Sequence, residues 1–232
     1  MKNAEIEIER VESMERETST VGEEKVEQKP TTPSVTYLKT SQKLYLPIKR
    51  LIGFFGSVVG IVLCSVLLWW WVLLINTFVT KGHPVFARHR IGKNGKPFRC
   101  IKFRSMKLTV DPHMTSRDGY SQDNITSFGK FLRKTSIDET LQLFNVLVGQ
   151  MAFIGPRPLI DVSKDVVTID KRKENGAICL RPGISGYAQI NGRELVDPIE
   201  KGEMDGYYLK HLGFRMDVKI FFKTIAAVFS NK

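Results

Sequence analysis

The sequence predicts an α+β protein: a membrane-inserted helical segment followed by a small, mainly helical domain with a short β-hairpin. Three observations lead there. Residues 51–75 contain no charged side chain. Residues 84–106 read as two strands around Asn94-Gly95. Two later stretches, 128–151 and from about Glu200 onward, carry apolar residues at helical spacing. The expected boundaries are an acidic extension over 1–40, a membrane-inserted segment with basic flanks over 41–81, and a globular domain over 82–232.

The extension holds nine Glu against six Lys or Arg and so carries −3. Its single aromatic, Tyr37, and its polar composition are those of a disordered segment. No cleavable signal peptide is expected, because the apolar run begins only at Leu51. The other 192 residues carry +14 of a chain total of +11. Such a basic body points to an anionic partner, whether nucleic acid, a phosphorylated substrate or anionic lipid. Solubility alone also accounts for surplus lysine. Cys64, Cys100 and Cys179 are scattered, which argues against a disulfide framework or zinc cage and fits a reducing compartment. The histidines show no ligand spacing, and no Walker A, G-x-G-x-x-G or G-x-S-x-G motif occurs.

An uncharged run longer than ~18 residues is a membrane segment by default. Extended to Val79, this one would be about 43 Å long as a single helix, more than the ~30 Å hydrocarbon core. Tilt, or a break and return to the same face, absorbs the excess. Gly53, Gly56 and Gly60 weaken the first half as a helix. Lys43, Lys49 and Arg50 precede the run; Lys81, Arg88, Arg90 and Lys93 follow it. Basic residues prefer the cytoplasmic side, so two basic flanks favour re-entry. Trp69, Trp70 and Trp71 start ~27 Å from Leu51, where a far interface would lie, and favour crossing. The expectation is re-entry, with a break near Cys64-Ser65 aided by the Ser65 hydroxyl bonding back to the helix.

Downstream, Asn94-Gly95 has turn chemistry for a hairpin. Residues 107–124, with Asp-Pro and Asp-Gly, read as a loop. Ser136 and Glu139 form a capping-box pattern, so a helix is expected to start there, with Leu141, Phe144, Val148 and Met151 on one face, and to end at the GPRP segment. RPGISGYAQINGR (181–193) reads as a loop. The C-terminal stretch MDVKIFFKTIAAVF sets Lys219 and Lys223 opposite a wide apolar face, and would either pack on the core or lie on a membrane surface.

The chemistry centres on Asp138 and Glu139. They serve equally as ordinary first-turn acids or as an active pair, one carboxylate attacking phosphorus and the other holding Mg²⁺, with the helix N-terminus on the phosphate. Matching cations exist. Lys102 and Arg104 are two apart on a strand and share a face. Arg157 stands between Pro156 and Pro158, which restrict the backbone around a planar, phosphate-matching fork. Taken singly, each cation is also an ordinary surface residue.

KFRSM (102–106), SIDETLQLFNVLVGQMAFIGPRP (136–158) and RPGISGYAQINGR (181–193) resemble the bacterial sugar transferase family, the monotopic phosphoglycosyl transferases, over about residues 47–230. The resemblance implies a cell-membrane enzyme with its catalytic domain on the cytoplasmic face. It implies transfer of a sugar 1-phosphate from a UDP-sugar to undecaprenyl phosphate in the inner leaflet, with release of UMP. That is the first membrane step of exopolysaccharide, capsule, O-antigen or glycoprotein glycan synthesis. It makes Asp138 the nucleophile of a covalent phosphosugar intermediate and Glu139 the Mg²⁺ ligand. Arg157 would grip phosphate, and Lys102 and Arg104 would add positive charge. Arg181, Gln189 and Arg193 become nucleotide-side candidates, and Asp205 an acidic position before a Tyr pair. No nucleic-acid partner is implied; downstream glycosyltransferases and a homodimer are compatible with it. Two positions depart from the family pattern. Ser65-Val66 stands where the family has Ser-Pro, and Gly53 where it has Asp. A different class remains as an alternative: a membrane-anchored basic module that binds nucleic acid or anionic lipid without catalysis, with Phe98, Phe103 and Tyr120 as stacking platforms.

Overall fold

The computed structural model describes residues 38–108, 122–160, 163–192 and 196–230. The acidic extension over 1–37, most of the 107–124 loop with Tyr120, and Arg193 lie outside the described residues.

Among the described residues the protein is mainly helical with two small sheets, in keeping with the α+β expectation. Helix α1 (Thr40–Cys64) runs through a π-helical turn (Ser65–Trp69) into α2 (Trp70–Thr80). The expected break at Cys64-Ser65 is therefore a π turn, and the chain stays helical from Thr40 to Thr80 over 41 residues. The Ser65 hydroxyl does bond back, donating to Val62 O at 2.9 Å. Without a proline at position 66 the amide ladder continues, and only its pitch changes.

That change of pitch keeps one stripe facing inward. Ser57 and Asn76 are both fully buried. In an unbroken α-helix they would stand about 100° apart around the axis. The wider π turn between them slows the rotation and returns Asn76 to the Ser57 face. The stripe then reads Gln42, Gly53, Ser57, Trp69, Val72, Asn76, Thr80, all buried. The glycines that weaken the helix are packing sites. A Cβ on Gly56 would stand 2.8 Å from Phe153, and one on Gly60 3.0 Å from Leu143. Small residues let the backbones approach, as in membrane helix pairs. The opposite face exposes Leu51, Phe55, Val59, Val62, Val66, Leu67 and Trp70.

Both ends of this helical stretch are bonded to one domain. Gln42 Nε2 donates to Leu209 O and Lys210 O, and Asn76 Nδ2 to Pro84 O and Arg104 O. In between, Arg50 donates to Val146 O and Leu147 O at 2.6 and 2.7 Å.

The hairpin forms as expected. Strands β1 (Val85–Ile91) and β2 (Pro97–Phe103) pair antiparallel, with Arg88 opposite Cys100 and Phe86 opposite Lys102. Asn94 and Gly95 both adopt positive φ, 57° and 76°, which these residue types tolerate. Helix α3 (Ser127–Lys134) follows, N-capped by Thr126.

The predicted helix start at Ser136 is corrected by the structure. Ser136 is left-handed, at φ 56°, with no side-chain cap, and residues Ile137–Glu139 form a 3₁₀ turn. The dyad therefore sits on a tight turn between helices. Helix α4 spans only Gln142–Leu147 and ends before Gly149, at φ 84°. Leu141 and Met151 are buried while Phe144 and Val148 are exposed, so the expected common face does not exist.

A second correction concerns 181–193. It is not all loop. Strand β3 (Ala152–Ile154) pairs in parallel with β4 (Gly183–Ser185), and helix α6 (Tyr187–Asn191) follows, after α5 (Ser163–Glu174). A Cβ on Gly183 would fall 2.1 Å from Gly155 N, so this pairing requires glycine. Helices α7 (Pro198–Lys210) and α8 (Phe214–Ser230) close the chain. Helix α8 packs on the core, as one of the two expectations had it, and leaves an apolar face exposed. Ile220 is fully buried, while Phe214, Phe221 and Phe222 are exposed. It is tied to α1 by Asp217, which accepts from Lys49 Nζ at 2.6 Å, Tyr45 OH at 2.7 Å and Tyr208 OH at 2.5 Å.

The main core joins both parts: Trp69 and Val72 pack with Phe103, Leu132, Leu141 and Leu143.

Candidate active site

A solvent-open cleft of about 450 Å³ lies between the hairpin, the 3₁₀ turn, the GPRP segment and β4. Its charged lining is Arg88, Arg90, Lys102, Arg157 and Glu139, four cations to one carboxylate. Such a wall favours a polyanion.

Each cation has a structural reason for its place. In β1, Arg88 and Arg90 are two apart and share a face, and the pairing with β2 sets them beside Cys100 and Lys102. Burial pulls Arg90 down to about 10, and the like charges of Arg157 and Arg88 push the same way. Its guanidinium donates to Pro158 O at 3.3 Å. Burial also lowers Lys102, while Asp138 and Glu139 hold it up. Arg157 is exposed, and its carbonyl accepts from Arg172 at 3.0 Å.

Asp138 does not line the cleft; it is 6% exposed, next to Glu139 on the 3₁₀ turn. Burial raises its carboxyl from 3.8 to about 6; Glu139 adds to the rise, and Lys102 and Arg133 oppose it. Glu139 lines the cleft itself.

The expected residues divide. Lys102, Arg157, Gln189 and Glu139 line the cleft, and Asp138 is buried within electrostatic reach of Lys102 and Glu139. Gln189 donates to Ile184 O at 3.1 Å, and its buried Oε1 has no partner, leaving an acceptor for a ligand N–H or O–H. Arg104 shares the Lys102 face, since both cations lie over the Phe86 ring, but it does not line the cleft and donates to His83 O. Arg181 donates to Gly149 O, closing the end of α4 beside Arg50. Asp205 is 1% exposed and ion-paired to Arg172 at 2.6 Å. It touches the site through a chain, Asp205 to Arg172 to the Arg157 carbonyl, so it holds the GPRP segment.

Arg88, Arg90 and Gln142 were missed by sequence reasoning. The two arginines read as a membrane flank. Their period-two spacing in a strand opposite Lys102 was the available signal. Phe98 and Phe103, expected as base-stacking platforms in the nucleic-acid alternative, are buried.

The fold and site together define a basic, anion-matching cleft lined by Glu139, on a domain joined to a helix long and apolar enough to cross a membrane. The chain belongs to the bacterial sugar transferase family, whose model matches residues 44–231. It is similar to the galactosyl transferase CpsE of Streptococcus agalactiae, at 32% identity over 90% of this chain and 48% of that protein. It is similar to the UDP-glucose:undecaprenyl-phosphate glucose-1-phosphate transferase of Klebsiella pneumoniae, at 36% over 79% of this chain and 40% of that protein. The uncharacterized sugar transferase EpsL of Bacillus subtilis matches at 34% over 78% of this chain and 87% of that protein. Apart from EpsL, the chain spans less than half the length of these relatives.

Proposed function

We propose that the chain transfers a sugar 1-phosphate from a UDP-sugar to undecaprenyl phosphate, with Asp138 as the group that carries the phosphosugar between them. The observation that carries this is the cleft: four cations and Glu139 line it, and Lys102 among them also acts on the neighbouring buried Asp138, whose basicity is raised. Relatives support the substrate class by name. They include an undecaprenyl-phosphate galactose phosphotransferase of Salmonella typhimurium and a UDP-N-acetylgalactosamine-undecaprenyl-phosphate N-acetylgalactosaminephosphotransferase of Aeromonas hydrophila.

In the first step a carboxylate oxygen of Asp138 attacks the phosphorus next to the sugar. The bond from that phosphorus to the bridging oxygen breaks, and UMP leaves with the electron pair. In the second, an oxygen of the lipid phosphate attacks the same phosphorus and restores the carboxylate. No base is required, because the nucleophile is already ionised near neutral pH. Arg88, Arg90, Lys102 and Arg157 supply the charge that phosphoryl transfer needs. Gln189 Oε1 offers an acceptor to the nucleotide or sugar.

Mg²⁺ suits the donor set. Glu139 in the cleft supplies one carboxylate, and Mg²⁺ is commonly held by one or two carboxylates with substrate phosphates and water. Among the described residues no group of three His, Cys, Asp or Glu forms a protein cage. Bound there, the ion would offset diphosphate charge.

The helix is read as re-entrant, with the domain on the cytoplasmic face where UDP-sugars are found. Two observations support this. Basic residues, which prefer the cytoplasmic side, flank the apolar run at both ends (Lys43, Lys49 and Arg50; Lys81, Arg88, Arg90 and Lys93), and both ends of the helix are bonded to the same domain. The exposed Phe214, Phe221 and Phe222 of α8 would then rest at the membrane surface.

The test is UMP release from UDP-glucose, UDP-galactose and UDP-N-acetylgalactosamine by the protein in membranes with undecaprenyl phosphate. At least one sugar should turn over, and Asp138→Asn should abolish it. Full turnover by Asp138→Asn removes that residue from the mechanism; no release from any UDP-sugar overturns the substrate class.

A further inference from the structure

The membrane helix reaches the dyad turn at Trp69. This residue ends the π turn and is 7% exposed. Its indole Nε1 donates to Thr140 Oγ1 at 3.0 Å, and its ring lies 5.3 Å from Phe144. Thr140 directly follows Asp138 and Glu139. Its amide bonds Ile137 O at 3.1 Å, and its hydroxyl donates to the same carbonyl at 2.8 Å. The hydroxyl thus gives its proton to the turn and takes one from the membrane helix. At the turn's other end Ser136 holds a left-handed conformation without a cap.

The neighbouring tryptophans behave differently. Trp70 and Trp71 donate to carbonyls of their own helix, Val66 O and Leu67 O, at 3.1 and 3.0 Å. Trp70 is 63% exposed. What aims Trp69 inward is the π turn. In an unbroken α-helix it would lie about 120° around the axis from Ser57, off the buried stripe. A π turn inside a long helix is a recurrent mark of a functional position.

We propose that Trp69 is a positioning residue for the transfer reaction. Through Thr140 it fixes the 3₁₀ turn that carries Asp138 and Glu139, so the membrane helix forms part of the active-site frame as well as the anchor. This rests on the reading of Asp138 as the nucleophile.

The experiment uses the full chain in nanodiscs. Trp69→Phe keeps a ring against Phe144 and removes the N–H. Thr140→Val removes the hydroxyl, and Thr140→Ser keeps it. Trp70→Phe and Trp71→Phe are the controls. Trp69→Phe should lower kcat about ten- to a hundred-fold, as misplacement of a reacting group does, with KM for the UDP-sugar within about twofold. Thr140→Val should match it, the double variant should be no worse than either, and Thr140→Ser and both controls should stay near the parent. Wild-type kcat in Trp69→Phe beside an inactive Asp138→Asn overturns the inference alone. So does a loss of kcat that follows the folded fraction, or one that Thr140→Ser shares in full. An active Asp138→Asn overturns the dyad reading, and this inference with it.

Discussion

Replacing Asp138 with asparagine removes a charge from a buried site, and the fold should be more stable for it. The carboxyl is raised from 3.8 to about 6 in the folded protein, chiefly by burial. Between those values the folded state holds a proton that the unfolded chain has released. Stability therefore falls as pH rises through this window, and it levels off above the folded value. The full shift of about two units corresponds to about 3 kcal/mol at pH 8, present as destabilisation in the parent and absent in Asp138→Asn. At pH 5 part of the charge is already neutralised, and the advantage of the variant shrinks to roughly half. The difference between the two pH values is on the order of 1 kcal/mol, or a few degrees in melting temperature for a domain of this size. Thermal unfolding of both proteins in nanodiscs, followed across this pH range, measures it. The variant should melt higher at every pH, with the gap widening toward pH 8. A gap that is constant or narrows with pH would refute the claim that a buried, proton-retaining carboxyl sits at position 138. The same shift gives the parent enzyme an acid limb. The attacking carboxylate is lost as pH falls through about 6, and kcat should fall tenfold per pH unit below it.

Gly60→Leu would drive a side chain into Leu143, since even a Cβ stands at 3.0 Å, and should destabilise the junction of α1 and α4 by about 1–3 kcal/mol, read as a lower melting temperature. Asp205→Ala leaves Arg172 buried and unpaired, and should destabilise by about 3–5 kcal/mol. In Asp205→Leu with Arg172→Met most of that stability should return, while activity stays reduced because the Arg157 carbonyl has lost its partner.

The local features could be read along the chain. The hairpin was legible because Asn94-Gly95 supplies two positive-φ residues between alternating strands. The long apolar helix was legible because the run from Leu51 is long and uncharged. Asp138, Glu139, Lys102 and Arg157 were legible as residue types suited to phosphate, gathered in motifs that resemble one family. Other features depend on which segments meet. The Ser136–Glu139 pattern is the same whether it caps an α-helix or begins a 3₁₀ turn. The outcome follows from Ser136 adopting a left-handed backbone between α3 and α4. Arg88 and Arg90 look like a membrane flank until pairing with β2 sets them beside Lys102. Asp205 looks like a site acid until Arg172, 33 residues away, is found against it.

The sequence by itself determined which segment is long and apolar enough to enter a membrane, where the strands turn, and which side chains have the chemistry for a phosphorylated substrate. These depend on composition, spacing and residue type, which are local properties. Only the tertiary structure decided that the 51–79 run stays helical through a π turn, that its glycines are packing sites, and that Trp69 faces the dyad instead of lipid. Those outcomes depend on rotation about the helix axis and on contacts between distant segments. A single extra residue in one turn changes which face meets the domain, and nothing in CSVLLWWWVLL alone records that change.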